Sequence, residues 1–330
     1  MRMILIPIPS PLRRPERARA FATAVVAVLC LATATSGPAW AGGSGNDRPT
    51  VVAAFYPLAE AAQGVGRGLV DVVNLTPPGQ GPHDLQLSGR TAQRIEQADM
   101  GIYLGSGFQP QVEKAIEKSK AASRRLDLLE TVGVLPVDPR LAGTKGKVDG
   151  EVLEGDVDPH VWLDPVRMIQ MVDAITDFFV RNDPANATSY RANAQEYLAS
   201  LDGLDAEYRA GLAQCRSRAI VTSHRAFGYL SDSYDLRQIP IAGVSPEVEP
   251  DPKTLAAIAD EAEKEGVTTI FLETIAPPDL AKTVAREIGA DLDLLDPIEG
   301  LSRQQIRQGE TYASIMRDNL TRLRKGLDCR

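Results

Sequence analysis

A chain of 330 residues, 43% hydrophobic and 24% charged, is long enough for two compact units with separate sheets. The formal net charge of −8 and the absence of a Lys/Arg cluster beyond Arg19 argue against a nucleic-acid partner, because phosphate binding draws on clustered cations. An acidic surface attracts cations only weakly and without specificity.

At the N-terminus Arg13, Arg14, Arg17 and Arg19 precede an apolar stretch, 21–33, and Ala39-Trp40-Ala41 offers a small-x-small cleavage site. Residues 1–41 therefore read as a signal peptide. The apolar run is shorter than the ~20 residues that span a bilayer, and no later stretch approaches that length. Cys30 follows Leu29 where a lipid-attachment site wants a small residue, so cleavage after Ala41 is the preferred reading. The expected location is secreted, periplasmic or on the outer face of the cell membrane, peripheral to it. Removal of the leader leaves Cys215 and Cys329, an even count that makes a disulfide the default in an oxidising compartment. Thiolate metal ligation is the weaker alternative, since neither cysteine has a CxxC partner.

From Thr50 onward β-branched runs alternate with amphipathic stretches, the pattern of βα units building mostly parallel sheets. Residues 51–55, 70–75 and 101–104 read as strands, with helical segments at 58–65, 88–98 and 111–121. The stretch 138–158, rich in Gly, Asp and Lys without apolar periodicity, reads as a surface loop. Asp164-Pro165 then caps a helix whose apolar positions are Ile169, Val172, Ile175 and Phe179. Beyond Asp183-Pro184 the residues Tyr190, Ala194, Tyr197, Leu201, Leu204, Tyr208 and Leu212 recur at spacings of three and four. That stripe predicts one long, stiff helix joining two lobes. Strands are expected again at 219–222, 238–241, 268–272 and 291–295, with a helix over 252–263 and a last one bearing Tyr312, Ile315, Met316, Leu320, Leu323 and Leu327. The resulting fold class is α/β, with a first lobe over 48–183, a linker helix over 184–214 and a second lobe over 215–330.

Ligands of open α/β sheets bind outside the carboxyl ends of strands, and chelators cluster there. His224 follows the strand 219–222, Glu273 follows 268–272 and Asp296 follows 291–295. His83 lies in the Gly- and Pro-rich turn after 70–75, and His160 in Asp158-Pro159-His160 just before a helix. None of the three histidines sits on an apolar helical face, where a core imidazole is usually found. Convergence in a cleft between the lobes would assemble three imidazoles with a carboxylate, a set that suits tetrahedral Zn²⁺ ahead of Mn²⁺. Asp84, Asp158 and Glu273 are near enough in sequence to orient the imidazoles.

Several separate motifs then occur in one order: Pro82-His83-Asp84, the segment from Asp158 to Pro165, Thr222-Ser223-His224-Arg225-Ala226-Phe227-Gly228-Tyr229-Leu230, Gly243-Val244-Ser245-Pro246-Glu247, and Asp296-Pro297-Ile298-Glu299-Gly300. Together they resemble the zinc and manganese solute-binding proteins of ABC importers, in particular the ZnuA-like zinc-uptake branch. The resemblance implies a two-lobed fold bridged by a long helix, with ligands at His83, His160, His224 and a carboxylate best matched by Asp296. It also implies delivery of the ion to a permease powered by an ATPase, with no chemistry on the ion; a monomer is expected. A histidine at 224 resembles the zinc branch, whereas manganese members often carry glutamate there. Two departures stand out: the loop 138–158 has no histidine, and Gln109 follows Gly107-Phe108 where a glutamate is common. A zinc hydrolase is the competing class, with Glu273 as general base, but no HExxH is present and a fourth protein ligand would close the position a substrate needs.

Overall fold

Short β-branched runs become strands where both faces are covered, and the computed structural model of the chain, which describes residues 48–83, 85–135, 157–246, 249–275 and 277–330, contains eight. In the first lobe β1 (Thr50–Ala53), α1 (Tyr56–Gly66), β2 (Asp71–Asn74), α2 (Gly89–Gln97), β3 (Met100–Tyr103), α3 (Pro110–Glu117) and β4 (Arg125–Asp127) alternate. All strand pairs are parallel, in the order β2-β1-β3-β4. The leader 1–41 and most of the loop 138–158 lie outside the described residues.

A 3-10 turn, Val161–Leu163, leads into α4 (Pro165–Asn182), capped by the Asp164 carboxylate accepting from the Val166 amide with proline at the first helical position. The long helix expected over 184–214 is α5 (Ala187–Gly211), entered through the 3-10 turn Pro184–Asn186. Its apolar stripe, Tyr190, Ala194, Leu201, Leu204 and Tyr208, is buried against α1 and α4 on one side and the last helix on the other.

The second lobe repeats the plan with β5 (Ala219–Thr222), α6 (Gly228–Ser233), β6 (Arg237–Pro240), α7 (Pro252–Lys264), β7 (Thr269–Leu272), α8 (Asp279–Ile288) and β8 (Asp291–Leu294). Its parallel order is β6-β5-β7-β8, the same winding as in the first lobe. In each lobe the chain reverses direction between the first and third strands, which opens a crevice at their carboxyl ends. α9 (Arg303–Gln308) and α10 (Tyr312–Gly326) close the chain.

One apolar core runs through both lobes. It contains Val52, Phe55, Ile102, Trp162, Phe179 and Tyr208, and continues through Ile220, Phe227, Phe271, Leu295 and Met316. A second, smaller core lies on the other face of the second sheet, where Val221, Ile239 and Ile270 meet Ala259, Ala262, Ala281 and Val284. The split follows the period of two along a strand: in β5, Ile220 faces the shared core while Ala219 and Val221 face the other. Cys215 and Cys329 form a disulfide, flanked by backbone bonds from Arg216 N to Asp328 O and from Ser217 N to Leu327 O. It ties the end of α5 to the residues after α10.

Candidate metal centre

Each site residue is carried by a loop that leaves the carboxyl end of a strand or enters a helix. His83 ends the turn that follows β2, His160 opens the 3-10 turn before α4, and His224 sits two residues beyond β5. These three, 83, 160 and 224, come together. His160 and His224 are fully buried and His83 is 8% exposed. The Nε2 atoms of His83, His160 and His224 lie 3.2, 3.7 and 3.1 Å from a single oxygen, Oε1 of Glu299. The two Nε2 atoms of His160 and His224 are 3.2 Å apart. All four candidate ligand atoms fall within 4.8 Å of one another, so one ion could be held between them.

Two of the imidazoles are locked from behind. Asp158 Oδ1 accepts from the His160 backbone N–H at 3.0 Å and lies 2.8 Å from its Nδ1. Glu273 Oε1 makes the same pair of contacts with His224, at 2.9 Å to the amide and 2.7 Å to Nδ1. Nδ1 protonated toward the carboxylate leaves Nε2 as the lone-pair donor, the tautomer a metal requires. Gly228 makes room for this arrangement, since a Cβ there would lie 2.9 Å from Asp158 Oδ2. His83 is braced differently: Phe108 meets its ring edge-on at 4.9 Å, and Gln109 donates from Nε2 to the Pro82 carbonyl at 3.2 Å. Asp84 lies outside the described residues.

The expected carboxylate, Asp296, is not part of the group. Its Oδ2 accepts from Thr274 Oγ1 at 2.6 Å and Gln305 Nε2 at 2.7 Å, and its Oδ1 from the Ile298 amide at 2.8 Å. With both oxygens engaged inside its own lobe, Asp296 builds the turn and Glu299, three residues on, reaches the imidazoles. The sequence signal for Glu299 was a second carboxylate in the same Asp-Pro-Ile-Glu-Gly motif. The two lobes meet at this turn, where Gly79 N donates to Leu301 O at 3.0 Å and a Cβ on Gly300 would lie 2.8 Å from the Gln80 carbonyl.

The family described as zinc-uptake complex component A, periplasmic (ZnuA), matches residues 51–326. The chain belongs to the ZnuA family. It is 34% identical to the high-affinity zinc uptake system protein ZnuA of Bacillus subtilis, over 86% of this chain and 89% of that one. It is 33% identical to the zinc-binding protein AdcA of Streptococcus pyogenes, over 84% of this chain but 56% of the relative, so it spans little more than half of AdcA. Among solved structures, the Zn(II)-bound ZnuA-like domain of Streptococcus pneumoniae AdcA superposes with a TM-score of 0.70 at 30% identity, covering 86% of this chain and all of that one. Among the described residues no helix is long and apolar enough to cross a membrane.

The electrostatics of this ZnuA-family site are those of a cation cage. Burial on its own would lower the His224 pKa, but the attraction of Glu273 and Glu299 outweighs it and holds the imidazole well above its ordinary value. His160 is likewise raised, burial being overcome by Asp158 and by its hydrogen bond with Glu299. For Glu299 burial works upward, and the His83 and His224 charges together with the histidine hydrogen bonds bring the carboxyl well below the usual range. Asp296 instead is raised by burial, as befits a carboxyl spent on neutral hydrogen-bond donors.

Proposed function

We propose that this chain captures Zn²⁺ outside the cytoplasm and delivers it to the permease of an ABC importer driven by an ATPase. The ion is cargo and undergoes no reaction. The observation that carries the reading is the convergence of the Nε2 atoms of His83, His160 and His224 on one oxygen of Glu299 in a buried pocket. Three neutral imidazoles and one carboxylate match the ligand preference and tetrahedral number of Zn²⁺, whereas Mn²⁺ favours more oxygen donors and a larger shell. The proposed ligands are thus His83, His160, His224 and Glu299, with Asp158 and Glu273 fixing two of the rings. Carriage is favoured over hydrolysis because the fourth protein ligand fills the position that an activated water would occupy, and Glu273 is engaged with His224 rather than free to act as a base. The proposed division is a first lobe over 48–183, the linker helix and a second lobe over 215–330, exported by removal of 1–41 and acting as a monomer. Family membership and the zinc-binding relatives support this reading.

The test is a zinc titration of the purified chain, with Mn²⁺ as competitor. One tightly bound zinc per chain, undisplaced by a large excess of Mn²⁺, is expected. Preference for Mn²⁺, or no stoichiometric zinc binding, defeats the proposal.

A further inference from the structure

Glu299 reaches the imidazoles through a turn with an unusual backbone. Ile298 is fully buried and has φ of +53°, a left-handed conformation that a β-branched residue adopts only where its surroundings impose it. The second lobe fixes the start of the turn. Asp296 Oδ1 accepts the Ile298 amide at 2.8 Å, and Asn319 brackets Asp296, accepting its N–H at 2.9 Å and donating to its carbonyl at 2.7 Å.

The middle of the turn is held from the other side. The indole N–H of Trp162, in the 3-10 turn that begins at His160, donates to the Pro297 carbonyl at 2.8 Å. Trp162 is fully buried, its ring packs edge-on against Phe55 at 4.7 Å and lies 5.1 Å from the His160 ring, and its carbonyl accepts from Tyr312 Oη at 2.6 Å. A residue so confined has little freedom to release its donor while the lobes are together. The same short turn therefore supplies one ligand, His160, and the contact that pins the loop bearing another.

We propose that Trp162 is a positioning residue whose indole N–H, by holding the Pro297 carbonyl, keeps the Ile298 turn in the form that delivers Glu299 to the three imidazoles. This rests on the reading of the group as a metal site. Completion of the ligand set is thereby tied to the approach of the lobes: when they part, the Trp162 to Pro297 bond breaks, the Ile298 turn relaxes and Glu299 withdraws from the ion.

The test is a double-mutant cycle on zinc affinity with Trp162→Phe and Glu299→Gln. Trp162→Phe alone is expected to weaken binding by about 10- to 100-fold, the usual range for a residue that orients a metal ligand. In the Glu299→Gln background the same change is expected to cost less than about 3-fold, because there is no ligand left to position. The Co²⁺ absorption spectrum of Trp162→Phe should match that of Glu299→Gln rather than that of the unmodified chain. Equal losses in both backgrounds, or an unaltered Co²⁺ spectrum, overturn the inference by showing that Trp162 acts as core packing only. Should Trp162→Phe fail to fold, benzothienylalanine introduced at position 162 keeps the ring shape, removes the N–H and is put through the same cycle. If the unmodified chain binds no zinc the functional reading fails, whereas zinc binding with an additive cycle defeats only the role of Trp162.

Discussion

His224 and His83 are the same kind of side chain held by two kinds of support. His224 is clasped by Glu273 at both its amide and its Nδ1. His83 ends a glycine-containing turn whose tip, 77–80, is exposed and whose last residues, 81–83, are buried, and it is braced by the edge of Phe108 and by a bond from Gln109 to the preceding carbonyl. The contrast teaches that a candidate cation cage can combine one half clasped by carboxylates with one half braced through packing and backbone carbonyls. His160, clasped by Asp158, belongs with His224. Glu299 belongs with His83, since its turn too is held through a backbone carbonyl, that of Pro297, by Trp162.

The sharpest way to break that comparison is to remove the candidate ligands of the clasped half. If four ligands share the 10 to 16 kcal/mol typical of protein zinc sites, His224→Ala or His160→Ala should cost roughly 3 kcal/mol, a loss of 100-fold or more. Isothermal titration against a competing chelator measures it, and unchanged affinity would remove the histidine from the site. Next in size are the clasping carboxylates. Glu273→Gln and Asp158→Asn should each lower zinc affinity about 10- to 100-fold, while Phe108→Leu on the His83 side costs less than either. Larger losses from Phe108→Leu would invert the ranking of the two supports.

Acid should loosen the clasped half. His160 and His224 have pKa values raised above the ordinary imidazole value, so before zinc binds they hold protons to higher pH than free histidine. Zinc must displace those protons, and affinity therefore falls as pH drops, with the decline already under way above the ordinary imidazole range. Titrations across the neutral to mildly acidic range measure it, and a flat profile would show that the imidazoles do not compete for the ion. Smallest at the site is the effect of the Cys215 to Cys329 disulfide. Reduction should destabilise the fold by about 3 to 5 kcal/mol in the chain-entropy model, read from denaturant midpoints, with zinc affinity changed less than about 2-fold.

Much of this arrangement is legible in the sequence alone. The βα alternation announced parallel sheets, and the stripe from Tyr190 to Leu212 announced α5, because burial on one face leaves a period in the sequence. The histidines stood out by occupying polar or proline-flanked turns, and Asp158 and Glu273 by their closeness to them in sequence or at a strand end. β4 was hidden: Arg125, Leu126 and Asp127 give a three-residue edge strand with one apolar position and no alternation to detect. Asp296 was the expected carboxylate because the family resemblance matched it best and it lies two residues beyond β8. Glu299, the carboxylate that meets the imidazoles, follows the left-handed Ile298, and a β-branched residue gives no warning of positive φ. Backbone direction at such a turn is settled by contacts from Asp296 and Trp162, one of them 135 residues away in sequence.

The four residues proposed as ligands are sealed from solvent, none more than 8% exposed. An outside chelator has no handle on an ion enclosed this way, so it must wait for the molecule to breathe. Dissociation should then run at a ceiling set by how often the protein gapes, indifferent to how much scavenger surrounds it, and a receptor able to prise the halves apart would command the timing of release.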